Sequence, residues 1–274
     1  MSSEAASAQT AVVPRAASTI LLLRDGAGRD GEGEIEVFMM VRHHQIEFNS
    51  GALVFPGGSI DRGDQAIIDN PRLYSAAGCD AGSLGFRIAA IRETFEESGI
   101  LLARPQGSQA LVDARRASAI EAAHRTALCE RQTTFAEVLT ESGLSLALDL
   151  LMPYAHWVTP VGMPKRFDTW FFLAAAPPEQ AGAHDGREST DSIWLSPREA
   201  LDGSQSGRFK LPFPTTRNLI KLGRQRNVQA ALDDSRGRPI VTVIPVMTTL
   251  NGGRQLRIPR EAGYDGEVFD VGAI

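Results

Sequence analysis

The sequence predicts an α/β fold, a mixed β-sheet sandwiched between helices, and three observations lead there. Short runs rich in β-branched, aliphatic and aromatic residues, such as Ile20 to Leu23 and Trp170 to Leu173, read as buried strands. Stretches with apolar residues at three- and four-residue spacing lie between them and read as helices. The two kinds intermix along the whole chain without an internal repeat, which puts helices on both faces of one sheet. At 274 residues and 43% hydrophobic content the chain can bury one large core, and no linker-like stretch divides it.

Taken in order, residues 1–16 are rich in Ala and Ser and read as a flexible tail. Ser18 to Arg24 is a strand, a Gly/Asp-rich turn follows to Gly33, and Glu34 to Arg42 completes a hairpin. Ala52 to Phe55 is a short third strand that stops at Pro56-Gly57-Gly58, where paired glycines signal a sharp turn or a close backbone approach. Residues 65–86 lack periodicity and read as an irregular excursion. A helix from about Phe86 to Ser98 follows, then the apolar run Ile100 to Ala103, then helices within 110–128 and 135–139. Ala155 to Thr159 and Arg166 to Leu173 are strands across a Pro/Gly turn. Ser192 to Leu195 is another, and Ser196-Pro197 starts a helix in the usual order of N-cap and first helical residue. One longer helix is expected from Pro214 to Leu232, and strands at Val241 to Pro245 and Gln255 to Ile258 close the chain.

Composition narrows the partners. The net charge is -5 and the basic residues are scattered, so no stripe is suited to gripping a nucleic-acid backbone. Cys79 and Cys129 stand fifty positions apart without CxxC spacing, against both a disulfide scaffold and a structural zinc site, and a reducing cytoplasm fits best. No run is long enough to span a membrane as a helix, and Ile20 to Leu23 is too short for a signal-peptide core. His124, on a helix without partners at metal spacing, reads as a surface residue.

The chemistry concentrates in Arg92-Glu93-Thr94-Phe95-Glu96-Glu97-Ser98-Gly99. Ile88, Ile91 and Phe95 share one stripe of this helix and Glu93, Glu96 and Glu97 cluster on roughly the opposite side. Like charges at this spacing repel by a few tenths of a kcal/mol per pair. The cluster is either a solvated acidic face or a site whose repulsion a divalent cation relieves. What lies upstream bears on the choice. Gly57-Gly58-Ser59-Ile60-Asp61-Arg62-Gly63-Asp64 and the helix together resemble the two halves of the Nudix box, G-x5-E-x7-R-E-U-x-E-E-x-G-U with U a large aliphatic residue. Asp64 stands at the first acidic position and Thr94 at an aliphatic one. Arg92 follows Asp64 by twenty-eight residues instead of eight, so twenty extra residues split the box.

A split box resembles the Nudix branch that contains the peroxisomal-type coenzyme A diphosphatases. His156 to Pro160, Lys165 to Thr169, Phe171-Phe172, Trp194 to Pro197 and Pro214-Thr215 resemble downstream segments of that branch, so the likeness runs from about residue 17 to about 225. It implies a Nudix domain over 17–248 interrupted at about 65–86, with 249–274 as a C-terminal segment. The ending Val271 to Ile274 is no Ser-Lys-Leu address, and a bacterial or cytosolic relative is expected.

The resemblance further implies a hydrolase of a diphosphate bond in a nucleoside diphosphate derivative. Coenzyme A or acyl-coenzyme A is the first expectation, with ADP-ribose, NADH and dinucleotide polyphosphates as alternatives. A Nudix-fold binding or regulatory protein without turnover is the alternative outside the enzyme class. Mg2+ or Mn2+ is the expected cofactor, because oxygen ligands suit hard cations. Glu93, Glu96 and Glu97 are the expected ligands. Glu93 alternatively orients the attacking water, and Arg92 fixes a carboxylate rotamer. Gly57 and Gly58 are expected to bring their backbone to metal or phosphate. Arg42, with His43 and His44 behind it, is the candidate to face the anionic substrate, against the more common reading of idle strand-end residues. Glu188 is the candidate acidic residue from outside the box, against a solvated loop residue. Asp61 reads as turn chemistry, and Asp64 as either turn or site. Lys165 and Arg166 read as a basic turn or a phosphate contact, and the aromatic residues at 167–172 as core before base-stacking. A homodimer is among the compatible assemblies.

Overall fold

A computed structural model describes residues 12–28, 33–41, 52–183, 192–250 and 253–271. Its strands are β1 (Arg15–Gly26), β2 (Glu34–Val41), β3 (Leu53–Val54), β4 (Gly57–Ser59), β5 (Tyr74–Ser75), β6 (Ala103–Pro105), β7 (Leu144–Ala147), β8 (Met152–Val158), β9 (Phe167–Ala175), β10 (Ser192–Leu195), β11 (Thr242–Val243), β12 (Val246–Leu250), β13 (Gly253–Arg257) and β14 (Val268–Asp270). Its α-helices are α1 (Asp64–Ile68), α2 (Leu84–Ser98), α3 (Ala114–Cys129), α4 (Phe135–Glu141), α5 (Pro178–Ala183), α6 (Pro197–Gln205), α7 (Phe213–Leu222) and α8 (Val228–Arg236).

Among the described residues the main sheet runs β10-β2-β1-β9-β8-β11, with β3 on β2 and β4 on β1. It is mixed: β1 pairs parallel with β9 and antiparallel with β2 and β4. Alternation along β1 divides the interior. Ile20 and Leu22 face a core with Ile88, Ile91 and Phe95 of α2, while Leu21 and Leu23 face a second core with Leu219 and Leu222 of α7 and Ala231 of α8. Helices therefore cover both faces, as the intermixed pattern predicts.

Four local expectations are corrected. The excursion at 65–86 contains most of α1, two 3-10 turns and β5, which joins β7 and β6 in a small separate sheet. Its strand is too short to show a period, and β7 was not foreseen. The single helix expected from Pro214 to Leu232 is two. α7 ends at Leu222 next to Gly223, and Asn227 restarts the chain by accepting the Ala230 N–H at 2.8 Å as the α8 cap. At the C-terminus, β12, β13 and β14 form a three-stranded antiparallel sheet, so the expected boundary after residue 248 falls inside β12. The N-terminal strand begins at Arg15, inside the stretch read as tail.

Candidate active site

The site is built where β4 lies between β1 and α2. Residues Ile88, Ile91 and Phe95 are fully buried, as their spacing predicts, and this fixes the rotation of α2 so that Glu93 meets Gly58 and Glu97 meets Gly57 of β4. Both glycines of β4 are required there. A Cβ on Gly57, whose φ is 155°, would sit 2.3 Å from the Ser18 carbonyl oxygen, and one on Gly58 would sit 2.4 to 2.5 Å from the Glu93 carboxylate. At Gly57 the obstacle is backbone and only glycine fits, whereas at Gly58 a side chain would have to displace the Glu93 carboxylate. Gly57 N–H donates to Glu97 Oε2 at 2.9 Å, so the two halves of the box meet directly despite the insertion.

Arg92, 7% exposed, organises the rest. Its Nε donates to Asp64 Oδ1 at 2.8 Å and its Nη2 to Asp64 Oδ2 at 3.2 Å and to the Ser59 carbonyl at 2.9 Å. Its Nη1 donates to Glu93 Oε1 at 2.9 Å and Glu96 Oε1 at 3.1 Å. These bonds use the guanidinium's five N–H donors, so Arg92 positions carboxylates and has none left for a phosphate. Burial pulls Arg92 toward losing its proton, but the hydrogen bond and charge of Asp64, with Glu93 and Glu96 behind it, outweigh that and hold it charged. Asp64 is 1% exposed and also accepts the Asp61 N–H at 2.8 Å, so the shorter acid is the anchor of the arginine fork. Asp61 itself closes a turn on Gly63 N–H at 2.7 Å. Thr94 is fully buried and donates to the Ala90 carbonyl at 2.8 Å, which lets it stand where an aliphatic residue is usual.

Glu93 is raised from its ordinary value because burial disfavours its charge, and Arg92 only partly offsets this. Among the described residues no three His, Cys, Asp or Glu side chains enclose a single ion position. Glu93 and Glu96 are turned toward Arg92, and Glu97 toward Gly57. The donor set nonetheless fits a hard divalent cation in kind, being all carboxylate oxygen with backbone carbonyls of β4 adjacent.

Gly57 and Gly58 also line a cavity of about 810 Å3 on the face of the second core. Phe55, Trp157, Phe167, Phe171 and Phe213 form much of it, and Arg15, Lys165 and Arg254 are its charged members. The aromatic strand thus splits: Phe167 and Phe171 face the cavity, Phe172 is core, and Trp170 stacks on His156 with centroids 4.5 Å apart. Arg166 is structural, donating to the Thr159 and Val12 carbonyls. His124 lies on α3 with its Nδ1 3.9 Å from Glu141. Arg42, His43, His44 and Glu188 lie outside the described residues. Sequence reasoning missed Arg15, Arg254, Phe213, Met247 and Leu256 as cavity residues. Only the aromatic stretch near Phe213 carried any signal.

Fold and site together define a Nudix protein with a split box. The family model of the NUDT19 Nudix domain matches residues 69–222, more than half of the chain, and the chain belongs to that family. The chain is 28% identical over 232 residues to the acyl-coenzyme A diphosphatase NUDT19 of Xenopus laevis, covering 71% of this chain and 61% of that protein. The Gallus gallus protein of the same name is 27% identical over 257 residues, covering 76% and 68%. The chain spans about three fifths of the length of the first curated relatives it matches. Among solved structures, a NUDIX hydrolase from Alicyclobacillus acidocaldarius superposes with a TM-score of 0.60 at 28% identity, covering 81% of this chain and 96% of that one. Among the described residues no helix is long and apolar enough to cross a membrane.

Proposed function

We propose that this chain is a divalent-cation-dependent diphosphatase that cleaves a diphosphate bond in a nucleoside diphosphate derivative, with coenzyme A or an acyl-coenzyme A as substrate. The observation that carries the reading is the contact of the two box halves, Gly57 N–H on Glu97 and Gly58 against the Glu93 carboxylate, where the same two glycines line a cavity large enough for a cofactor-sized molecule. The names of the frog and chicken relatives support the substrate.

Diphosphate cleavage needs positive charge held where negative charge develops. Mg2+ or Mn2+, held by Glu93, Glu96 and Glu97, supplies that charge and acidifies water when bound. The chain's own contribution is order. Asp64 fixes Arg92, and Arg92 fixes Glu93 and Glu96, so the carboxylates are placed before substrate arrives. Arg92 occupies Oε1 of Glu93, which leaves Oε2 either to ligate the cation or, in the alternative role, to orient the attacking water. Small-residue backbone at Gly57 and Gly58 lets a phosphate approach closely.

The test is a turnover panel with the purified chain, Mg2+ or Mn2+, and coenzyme A, acyl-coenzyme A, ADP-ribose, NADH and dinucleotide polyphosphates, with products separated by chromatography. Cleavage of the coenzyme A compounds with the highest kcat/KM is expected. Tight binding of one compound without turnover of any would replace the enzyme with a binding protein.

A further inference from the structure

The cavity beside β4 is lined in part by a segment of the chain that lies outside the family match at 69–222, the β12-β13-β14 sheet. Met247 of β12 and Arg254 and Leu256 of β13 line it. This sheet is pinned in place. Tyr264, 3% exposed, accepts the Trp157 Nε1–H at 2.9 Å and donates to Asn218 Oδ1 at 2.6 Å, and Trp157 is itself a cavity residue. Phe269 of β14 packs edge-on to Phe213 with centroids 5.5 Å apart, under the Arg217 guanidinium at 4.5 Å. A buried hydrogen-bonded pin and an aromatic pair make the sheet a fixed wall.

The chemistry of the lining is selective. Among the described residues that line the cavity there is no Asp, Glu, Asn or Gln. A purine or a ribose is normally read by such groups, because its hydrogen-bonding edges must be matched when desolvated. Here the charged residues are all cations, Arg15, Lys165 and Arg254, and the remainder is aromatic and aliphatic side chain, glycine backbone and six short hydroxyl residues, Ser18, Thr19, Ser59, Thr159, Thr169 and Thr215. Met247 is 38% exposed on this surface, an apolar area that a ligand would cover. Cations beside apolar walls match an anion that carries a long hydrocarbon chain.

We propose that the C-terminal sheet forms one wall of a binding site for an apolar chain attached to the phosphate-bearing substrate, and that Met247 and Leu256 set the chain length accepted. This rests on the preceding reading only in placing the phosphate end at Gly57 and Gly58. The shared ligand chemistry has two sources, a chain remote from the diphosphate, as in an acyl thioester of coenzyme A, or one bonded to it directly, as in an isoprenoid diphosphate.

The experiment is calorimetric titration of the full chain, metal-free in EDTA to prevent turnover, with butyl, octyl and dodecyl diphosphate below their micellar concentrations. Affinity is expected to rise by up to roughly fourfold per methylene until the cavity is filled. Met247→Glu is expected to weaken dodecyl diphosphate at least tenfold while leaving butyl diphosphate unchanged. Should that variant fail to fold, Met247→Ala is expected to lower the gain per methylene. Decanoyl-coenzyme A and geranyl diphosphate are then competed against the dodecyl probe, and whichever displaces it identifies the source. Affinity independent of chain length, equal weakening of short and long probes by the variant, or no displacement by either competitor overturns the proposal. Chain-length dependence without turnover of any coenzyme A compound removes the substrate reading and leaves this site standing, and turnover without chain-length dependence does the reverse.

Discussion

The two faces of the main sheet are built by opposite means. On the α2 face, five charged side chains within one motif, Asp64, Arg92, Glu93, Glu96 and Glu97, are ordered by a single guanidinium and one strand of glycines. On the other face, a cavity of about 810 Å3 is assembled from side chains contributed by positions as far apart as Arg15 and Val271. The first depends on the hydrogen bonds that one helix, α2, makes to β4 and to Asp64 of α1, and the second on how many distant segments pack. Chemistry is thus placed where one guanidinium and one glycine strand fix the geometry. Selectivity is left to a surface that a change in the C-terminal segment can reshape without touching the carboxylates.

Substitutions that strike one face and spare the other sharpen the comparison. The largest effect is expected for Glu97→Gln, which removes one charge but keeps the side chain's size and its Gly57 N–H partner. Turnover should fall by roughly 10^3-fold or more, the scale of losing one group that stabilises transition-state charge. The melting temperature and the gain in affinity per methylene of an alkyl diphosphate should stay unchanged. Near-normal activity would remove Glu97 from the site.

Gly58→Ala places a methyl group onto the Glu93 carboxylate and should displace it. A misplacement of about 1 Å costs on the order of 10^2-fold in kcat/KM. The loss should appear in kcat more than in KM for a long-chain substrate, because the cavity wall at Met247 and Leu256 is untouched. An equal loss of chain-length selectivity would show that the two faces are not independent.

The smallest effect belongs to the other face. Lys221 of α7 donates to the Tyr154 carbonyl at 3.3 Å and lies over the Tyr154 and Tyr264 rings. Burial, with the Arg238 charge in support, brings it down to about 8 from the usual lysine range. Its folded value is therefore depressed below its unfolded one. Between about pH 8 and 10 the unfolded chain keeps a proton that the folded chain has released, so this group's contribution to stability rises with pH. The melting temperature of the wild type relative to Lys221→Met should climb by a few degrees from pH 8 to 10. Parallel curves would contradict the burial of Lys221 against Tyr154 and Tyr264.

The same contrast explains what was legible in the sequence. Ile88, Ile91 and Phe95 announce α2 because a helix writes its buried face at a fixed period, and Gly57-Gly58 announce a close backbone approach because that approach demands glycine, although the strand β4 they form reads in the sequence as the stop of the strand before it. The pairing of Asp64 with Arg92 was open at the sequence level, since twenty-eight residues separate them and only the fold closes that gap. α7 and α8 read as one helix because their apolar residues stay nearly in phase across Gly223 to Asn227. The C-terminal wall was illegible for a different reason. Met247 and Leu256 look like ordinary strand residues, and their role comes from the Trp157-Tyr264-Asn218 pin, which no local pattern encodes.

The central claim is that the acidic face of α2 exists to hold a cation. Titration of Mn2+ into the metal-free chain, followed by the loss of the free-ion electron paramagnetic resonance signal, tests it without reference to any substrate. The account predicts saturable binding by the wild type and none above background for the triple variant Glu93→Gln, Glu96→Gln, Glu97→Gln with an unchanged circular dichroism spectrum. Equal Mn2+ binding by the two folded proteins would contradict it.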